Sequence, residues 1–189
     1  MVTAPAGMVA GLDVLQRALD YTCAGLRSVT ADDLTSPTPC SAWNLADLLA
    51  HMEDALDAFA EAAGGAIALR STAPAPLPQR IAALQRKAAG LLSIWLAAAD
   101  GAVAVEGSDV PIDAVARLAA LEIAVHGWDV HRALGGSGAL PETLALALLP
   151  IAALTAAAPT GSFARPLPCA AGAPPGVRLL GLLGRTADA

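Results

Sequence analysis

Two side chains that exchange protons or bind metal ions lie one helical turn apart in the stretch LEIAVHGWDVHRALGG, which runs from Leu121 to Gly136. Glu122 precedes His126 by four residues, and side chains at that spacing project from the same face of an α-helix. The neighbours on that face, among them Val115 and Ala119, are apolar, so we expect the face to point into the core. A buried carboxylate needs a counter-charge, a hydrogen bond or a metal ion, because removing it from water is otherwise costly.

A third candidate ligand, His51, lies on another predicted helix, at the edge of that helix's apolar face. If the two helices face one interior, they offer two imidazoles and a carboxylate to one point. Three protein ligands with an open fourth position are typical of a catalytic zinc site, and Ni²⁺, Fe²⁺ and Mn²⁺ accept the same ligand types. The spacing alone leaves a second interpretation open, in which Glu122 and His126 form an ion pair within one helix and His51 is an ordinary core or surface histidine.

Three further residues near these candidates could contribute to the site. Asp129 lies on the same helix face and could orient a ligand histidine through a hydrogen bond, or equally could bond to a neighbouring helix or to Trp43. His131 follows His126 by five residues, about 140° further round the helix, so it is predicted to point away and to interact with free carbonyls at the helix end. Cys40 lies in the loop before the second helix, where we expect a buried cysteine rather than a reactive one.

Helices are the elements that must position these residues. Apolar residues recur at helical spacing, and Asn44 with Asp47 forms an approximate capping box. The pattern predicts helices over Leu12–Val29, from Asn44 to Gly64-Gly65, over Pro78–Ala99 and Pro111–Leu134, and a fifth after Pro141 that ends near Ala158. No internal repeat and no convincing pair of strands is evident, and DGAVAVEGSDVP is interpreted as a turn of the chain. The prediction is an all-α four-helix bundle, a single domain over residues 1–189 with a C-terminal tail, residues 158–189, packed on it.

Composition agrees with this fold class and excludes several functions. Of the 189 residues 56% are hydrophobic but only 3% are aromatic, so the core must consist of aliphatic residues, with alanine and leucine favouring helix. The net charge of −6 argues against nucleic-acid binding. Three cysteines without a CxxC spacing, and no signal peptide, favour a reduced cytoplasmic location. The uncharged run Thr143–Ala164 has the length of a membrane span, but its prolines favour a buried bundle helix over a membrane segment.

Two motifs and the tail resemble a known family. PTPCSAWNLADLLAHM (Pro37–Met52) and EIAVHGWDVHRALG (Glu122–Gly135) resemble signatures of the DinB-like metal-binding superfamily, in the branch of mycothiol-dependent maleylpyruvate isomerase. The ending SFARPLPCAAGAPPGVRLLGLLGR is similar to the tail of short actinobacterial members, and the likeness extends from about Leu12 to Arg185. The resemblance implies a four-helix bundle with a divalent metal, usually Zn²⁺, held by His51, Glu122 and His126. His131 stands where relatives usually have a small apolar residue.

The resemblance also bears on function. The isomerase carries an additional C-terminal domain that helps to bind substrate, so we expect a substrate other than maleylpyruvate. The first hypothesis is an enzyme in which a low-molecular-weight thiol such as mycothiol binds the metal, loses its proton and attacks an electrophilic small molecule, giving S-transfer or cis–trans isomerisation. Asp129 would orient a ligand, and no proton-transfer residue is evident.

Two alternatives remain open. A Lewis-acidic metal could act without a thiol, driving a cyclisation, hydrolysis or elimination in secondary metabolism. Alternatively, the bundle could be a non-catalytic stress or binding protein, with His131 or Cys40 closing the metal's fourth position. The apolar surface permits a homodimer without requiring one.

Overall fold

A computed structural model describes residues 6–40, 42–64, 76–97, 102–105, 108–158 and 163–187. Helices make up most of this described chain, which confirms the all-α prediction. They are α1 (Ala6–Leu26), α2 (Leu45–Gly64), α3 (Leu77–Ala97), α4 (Ile112–Ala133), α5 (Glu142–Ala157) and α6 (Pro175–Leu182). A 3-10 turn at Ala31–Thr35 follows α1, and strands β1 (Ala102–Val105) and β2 (Ser108–Pro111) lie between α3 and α4.

The core of the bundle is aliphatic, as the composition predicts. Helix α1 packs most extensively against α4, while α2 packs against α3 and also contacts α4. Fully buried side chains from all four helices meet in this core, among them Leu15, Leu48, Leu91 and Val125. The α4 face that carries Glu122 and His126 is therefore enclosed by the other helices of the bundle.

The start of α2 is fixed by the capping box that the sequence predicts. The Asn44 amide donates to Asp47 Oδ2 at 3.2 Å, and the Asp47 amide donates to Asn44 Oδ1 at 3.0 Å. Just before it, the Trp43 amide donates to the Cys40 carbonyl at 2.8 Å, and Pro37 forms a β-bridge with Asn44. The loop is thus held against the first turn of α2, which places Cys40 and Trp43 close to the helix that carries the first candidate ligand.

One local prediction is wrong, because the segment DGAVAVEGSDVP contains a pair of strands. Strands β1 and β2 are antiparallel, with Val103 opposite Val110 and Ala104 opposite Asp109. Each strand is only four residues long, too short for an alternating pattern to be distinguished from a turn. The two strands are defined by their pairing with each other, which local propensity does not reveal.

Helix α5 is half-buried rather than wholly buried. It packs on the bundle through its Leu144 and Leu148 face, whereas Leu146 and Leu154 are exposed. Its end at Ala157 agrees with the predicted end near residue 158. Within the described residues, no helix has the length and hydropathy needed to cross a membrane. The predicted ends of the second and third helices, at Gly65 and Ala99, lie outside the described residues.

The described part of the C-terminal segment lies against the bundle through α6, which packs on α5. The Leu167 amide donates to the Gly181 carbonyl at 2.9 Å, which joins the extended stretch before α6 to the end of that helix. Organisation of residues 1–189 as one domain with a tail from residue 158 stays a prediction.

Candidate metal centre

Helices α2 and α4 bring the three predicted ligands together. One ligand atom each from His51, Glu122 and His126 lies within 4.8 Å of the other two. The two imidazole rings are 4.8 Å apart at their centroids and nearly perpendicular, at 80°. Glu122 Oε2 lies 3.3 Å from His126 Nε2, so the ion pair considered as an alternative is also present. The metal-site and ion-pair interpretations therefore apply to the same cluster. In one a metal ion, and in the other a proton, lies between the Glu122 carboxylate and the His126 ring.

The second nitrogen of His126 is held by Asp129. His126 Nδ1 lies 3.0 Å from Asp129 Oδ2, and Asp129 is fully buried. An imidazole that donates its Nδ1 proton to a carboxylate directs the Nε2 lone pair outward, which is the usual arrangement of metal-binding histidines. Of the partners considered from the sequence, the structure thus places Asp129 on a candidate ligand rather than on Trp43.

Trp43 instead contacts the other imidazole. Its ring lies 4.6 Å from that of His51, at a tilt of 37°. This contact explains why His51, at the edge of the apolar face of α2, is only partly exposed. The tryptophan therefore packs in the wall of the site, consistent with its interpretation as a packing residue.

Asp129 is paired with an arginine that sequence reasoning did not single out. Arg185 lies three residues beyond the end of α6, and only 5% of it is exposed. Its Nη2 lies 2.9 Å from Asp129 Oδ2 and its Nε 3.4 Å from Oδ1, while the guanidinium lies 5.0 Å from the ring centre of Phe163. The only signal in the sequence was the presence of arginine in the apolar tail. The same tail contains Arg178, which is exposed, and the sequence does not distinguish the buried arginine from the exposed one.

Cys40 completes this network. Its thiol donates to Asp129 Oδ2 at 3.3 Å and accepts from Arg185 Nη2 at 3.0 Å. Cys40, His126 and Asp129 form a second group of closely spaced donor atoms, but the Arg185 guanidinium already supplies a cation to it. Cys40 is half-buried, somewhat more accessible than predicted, and its contacts are those of a structural residue.

His131 lies apart from both groups. It is exposed in the last turn of α4, and its carbonyl accepts a hydrogen bond from the Gly136 amide at 3.0 Å. It belongs to neither cluster of candidate ligands among the described residues. This agrees with the geometric prediction that it points away from the site.

The surroundings shift the titration of these groups in opposite directions. Burial disfavours the charged ring of His126, but hydrogen bonds, led by that to Asp129, outweigh burial and raise its pKa to about 10. Burial, together with the nearby charge of His126, lowers the pKa of His51. Burial disfavours the Asp129 carboxylate as well, yet hydrogen bonds from His126 and Arg185 lower its pKa. The metal-free cluster therefore contains one charged and one neutral imidazole at neutral pH.

A small pocket lies beside Glu122 and His126. Its remaining walls come from α1, α2 and α3 and from Ile123 of α4. No lysine or arginine is among the described residues that line it. Glu122 and His126 are the two candidate ligands that line this pocket.

Comparisons with known proteins cover most of the chain. The family model described as Mycothiol maleylpyruvate isomerase N-terminal domain matches residues 15–131. Two uncharacterized proteins of Mycobacterium tuberculosis, from strains CDC 1551 / Oshkosh and ATCC 25618 / H37Rv, are each 32% identical over 178 residues, which is 90% of this chain and 95% of each relative. No solved structure matches the chain. The matched region contains the three candidate ligands and Asp129 but ends before Arg185.

Proposed function

Because the chain belongs to the mycothiol maleylpyruvate isomerase N-terminal domain family, we propose that it is a divalent-metal-dependent enzyme that activates a low-molecular-weight thiol such as mycothiol. The observation that carries the proposal is the convergence of His51, Glu122 and His126 beside an apolar pocket. Two imidazole nitrogens and one carboxylate oxygen suit Zn²⁺, and Ni²⁺, Fe²⁺ or Mn²⁺ accept the same donors. The substrate would be an electrophilic small molecule.

The donor set fits a metal with an open coordination position. Asp129 holds the Nδ1 side of His126, which leaves Nε2 for the ion. Neither of the two residues that could have closed the fourth position belongs to the group of His51, Glu122 and His126, since Cys40 is hydrogen-bonded to Asp129 and Arg185 and His131 is exposed. This arrangement supports an enzyme over a closed, purely structural metal site.

The charge of the cluster supports an anionic fourth ligand. Glu122 and Asp129 contribute two negative charges and Arg185 one positive charge, so the cluster carries a net charge of −1 when both histidines are neutral. A divalent ion would bring the total to +1. A thiolate would neutralise this excess, whereas a neutral ligand would leave a net charge in a largely apolar interior.

The proposed chemistry follows from a thiolate held beside the pocket. A bound divalent ion lowers the pKa of a coordinated thiol, so that the thiolate forms at neutral pH. In S-transfer, the sulfur forms a bond to an electrophilic carbon and the leaving group departs with its electron pair. In isomerisation, the sulfur adds to a carbon–carbon double bond, rotation follows, and cleavage of the same S–C bond releases the thiolate. Asp129 would act as a positioning residue through His126.

Metal content tests the ligand assignment. We expect His51→Ala, Glu122→Gln and His126→Ala each to lower the bound metal from about one ion per chain to a small fraction of that, because each removes one of three ligands. The measurement is metal per chain by mass spectrometry after dialysis. His131→Ala is the matched control and should retain full content. Full retention in all three ligand variants would end the assignment.

Thiol binding tests the activity class. Mycothiol titrated into Co²⁺-loaded protein should produce a sulfur-to-cobalt charge-transfer band that S-methylated mycothiol does not produce. If mycothiol at millimolar concentration gives no such band, the thiol hypothesis fails, and the Lewis-acid alternative of a cyclase, hydrolase or lyase takes its place.

The oligomeric state is a separate question. The apolar surface permits a homodimer without requiring one, and sedimentation velocity of the metal-loaded chain measures the oligomeric state directly.

A further inference from the structure

The pocket beside the candidate metal centre has walls of one chemical kind. Leu19 of α1, Met52 of α2, and Leu84 and Ala88 of α3 all line it and are all buried. Three helices thus present aliphatic or thioether groups to the same space. A ligand that leaves water for the pocket would therefore contact mainly apolar side chains.

The few polar groups in these walls are neutral or already bonded. Thr22 Oγ1 donates to the Ile123 carbonyl at 2.8 Å, so its proton is not available to a ligand. Cys23 is half-buried, and burial raises the pKa of its thiol, which keeps it uncharged at neutral pH. The other polar side chains in these walls are those of Glu122 and His126.

Among the described residues, Lys87 and Arg185 lie near the pocket and are paired with carboxylates, while Arg27, whose charge acts on the Cys23 thiol, is exposed and is not among the lining residues. Lys87 precedes Ala88 on α3, and its Nζ lies 2.6 Å from Asp57 Oδ2 and 3.0 Å from Glu53 Oε1. Arg185 is held by Asp129 at 2.9 Å. A carboxylate entering the pocket would therefore lose its hydration without gaining an unpaired counter-charge from the described walls, because Glu122 and Asp129 already flank the His126 ring.

From this arrangement we infer that the site takes an uncharged electrophile bearing a short alkyl group, and that it rejects molecules whose far end is a carboxylate. The alkyl group would lie among the aliphatic side chains, and the electrophilic carbon would lie toward Glu122 and His126. The inference rests on the proposed function for the location of the chemistry. The preference for an alkyl group over a carboxylate is nevertheless measurable without any turnover.

A matched pair of hydroxamic acids isolates this preference, because both bind a metal through the same headgroup. Butanohydroxamate ends in a methyl group, and succinate monohydroxamate has the same number of carbons but ends in a carboxylate. The Zn²⁺-loaded full chain should bind butanohydroxamate at least tenfold more tightly. It should bind acetohydroxamate more weakly than butanohydroxamate by about fourfold for each missing methylene. Equal or tighter binding of succinate monohydroxamate would overturn the inference.

Filling the pocket tests whether the preference arises there. Ala88→Leu places a larger side chain in the wall, while Ala89→Leu adds the same atoms at an exposed position on the same helix. The first variant should bind butanohydroxamate no better than acetohydroxamate, and the second should keep the difference of the parent chain. If Ala88→Leu folds and keeps the full difference, the alkyl group binds elsewhere.

A methyl signal gives a readout that needs neither metal nor turnover. The chain has three methionines, and Met52 is the one that lines the pocket, so its ¹³C-methyl resonance reports occupancy. In metal-free protein, butanamide should shift this resonance and succinamate should not; a shift with succinamate alone would contradict the inference.

Loss of thiol binding with the alkyl preference intact would reject only the proposed function. Loss of the alkyl preference with thiol binding intact would reject only the present inference.

Discussion

At the scale of the residue, the candidate site depends on His126. Its Nε2 lies 3.3 Å from Glu122 and its Nδ1 lies 3.0 Å from Asp129, so both nitrogens of a buried ring have a carboxylate partner. A protonated ring donates to both carboxylates, whereas a neutral ring donates to Asp129 and can bind a metal through Nε2. A proton and a metal ion are therefore alternatives at the same atom.

This competition predicts a proton release on metal binding. Because the pKa of His126 is raised to about 10, the ring is protonated in metal-free protein at pH 7.5 and must lose its proton when it becomes a ligand. Calorimetric titration with Zn²⁺ in two buffers of different ionisation enthalpy should give about one proton released per ion. His131→Ala should behave like the parent chain. A binding enthalpy that does not depend on the buffer would contradict the prediction.

The same shift predicts how stability varies with pH. The folded-state pKa of His126 lies above its ordinary value of 6.5, so the stabilisation from its charged ring is fully present below about pH 6.5 and is lost as pH rises through about 10. Metal-free protein should therefore lose unfolding free energy between about pH 7 and pH 10, by urea denaturation. His126→Gln should show a flatter profile over that window, and an equally steep profile in this variant would assign the effect to other groups.

At the scale of the element, the site depends on how closely α4 approaches α1. Gly127 follows His126 directly, and a Cβ at that position would overlap the Thr22 side chain. The absence of a side chain there lets Thr22 donate to the Ile123 carbonyl at 2.8 Å. The glycine in the motif HGWD is therefore explained by helix packing, which the sequence alone does not reveal.

Substitution of this glycine should be costly despite the higher helix propensity of alanine. Gly127→Ala is expected to lower the unfolding free energy by about 1–3 kcal/mol, because the helices must separate or Thr22 must move. Gly90→Ala on α3 is the matched control, since nothing lies within 4 Å of its added Cβ, and it should stabilise by about 0.5–1 kcal/mol. Urea denaturation measures both variants. If the Gly127→Ala variant is as stable as the Gly90→Ala variant, helices α1 and α4 are not in tight contact at this position.

At the scale of the whole molecule, the C-terminal segment contributes directly to the network behind the site. Arg185 is separated from Asp129 by 56 residues, yet its guanidinium contacts Asp129 and the Cys40 sulfur. Phe163 lies under the same guanidinium and 6.2 Å from the His126 ring centre. Residues that lie beyond the part of the chain matched by the family model thus enclose one side of the candidate ligand.

Removing the arginine should therefore destabilise the fold. Arg185→Met leaves the buried Asp129 carboxylate without its cation, and we expect a loss of about 3–5 kcal/mol in unfolding free energy. Arg178→Met, at an exposed position of α6, should change stability by less than about 0.5 kcal/mol. The double variant Asp129→Asn with Arg185→Met should lose less than the sum of its single variants, and strict additivity would show that the two residues do not interact.

The sequence by itself determined the parts of this protein that depend on local spacing. Aliphatic periodicity defines α1 to α5, the reciprocal hydrogen bonds of Asn44 and Asp47 fix the start of α2, and the four-residue interval puts Glu122 and His126 on one face. Helical geometry likewise separates His131 from that face. These features follow from residues within one or two turns of each other, whose relative positions the backbone dictates.

Only the tertiary structure determined which residues contact the α4 face that carries Glu122 and His126. The choice of Arg185 over Arg178, the hydrogen bonds of Cys40 and the largely apolar pocket all join segments that are far apart in the sequence. The β1–β2 ribbon escaped prediction for a related reason, because each strand is stabilised by its partner rather than by its own residues. Whether a residue is buried, and which distant residue it contacts, depends on how the whole chain packs. The local spacing of residues in the sequence does not determine either.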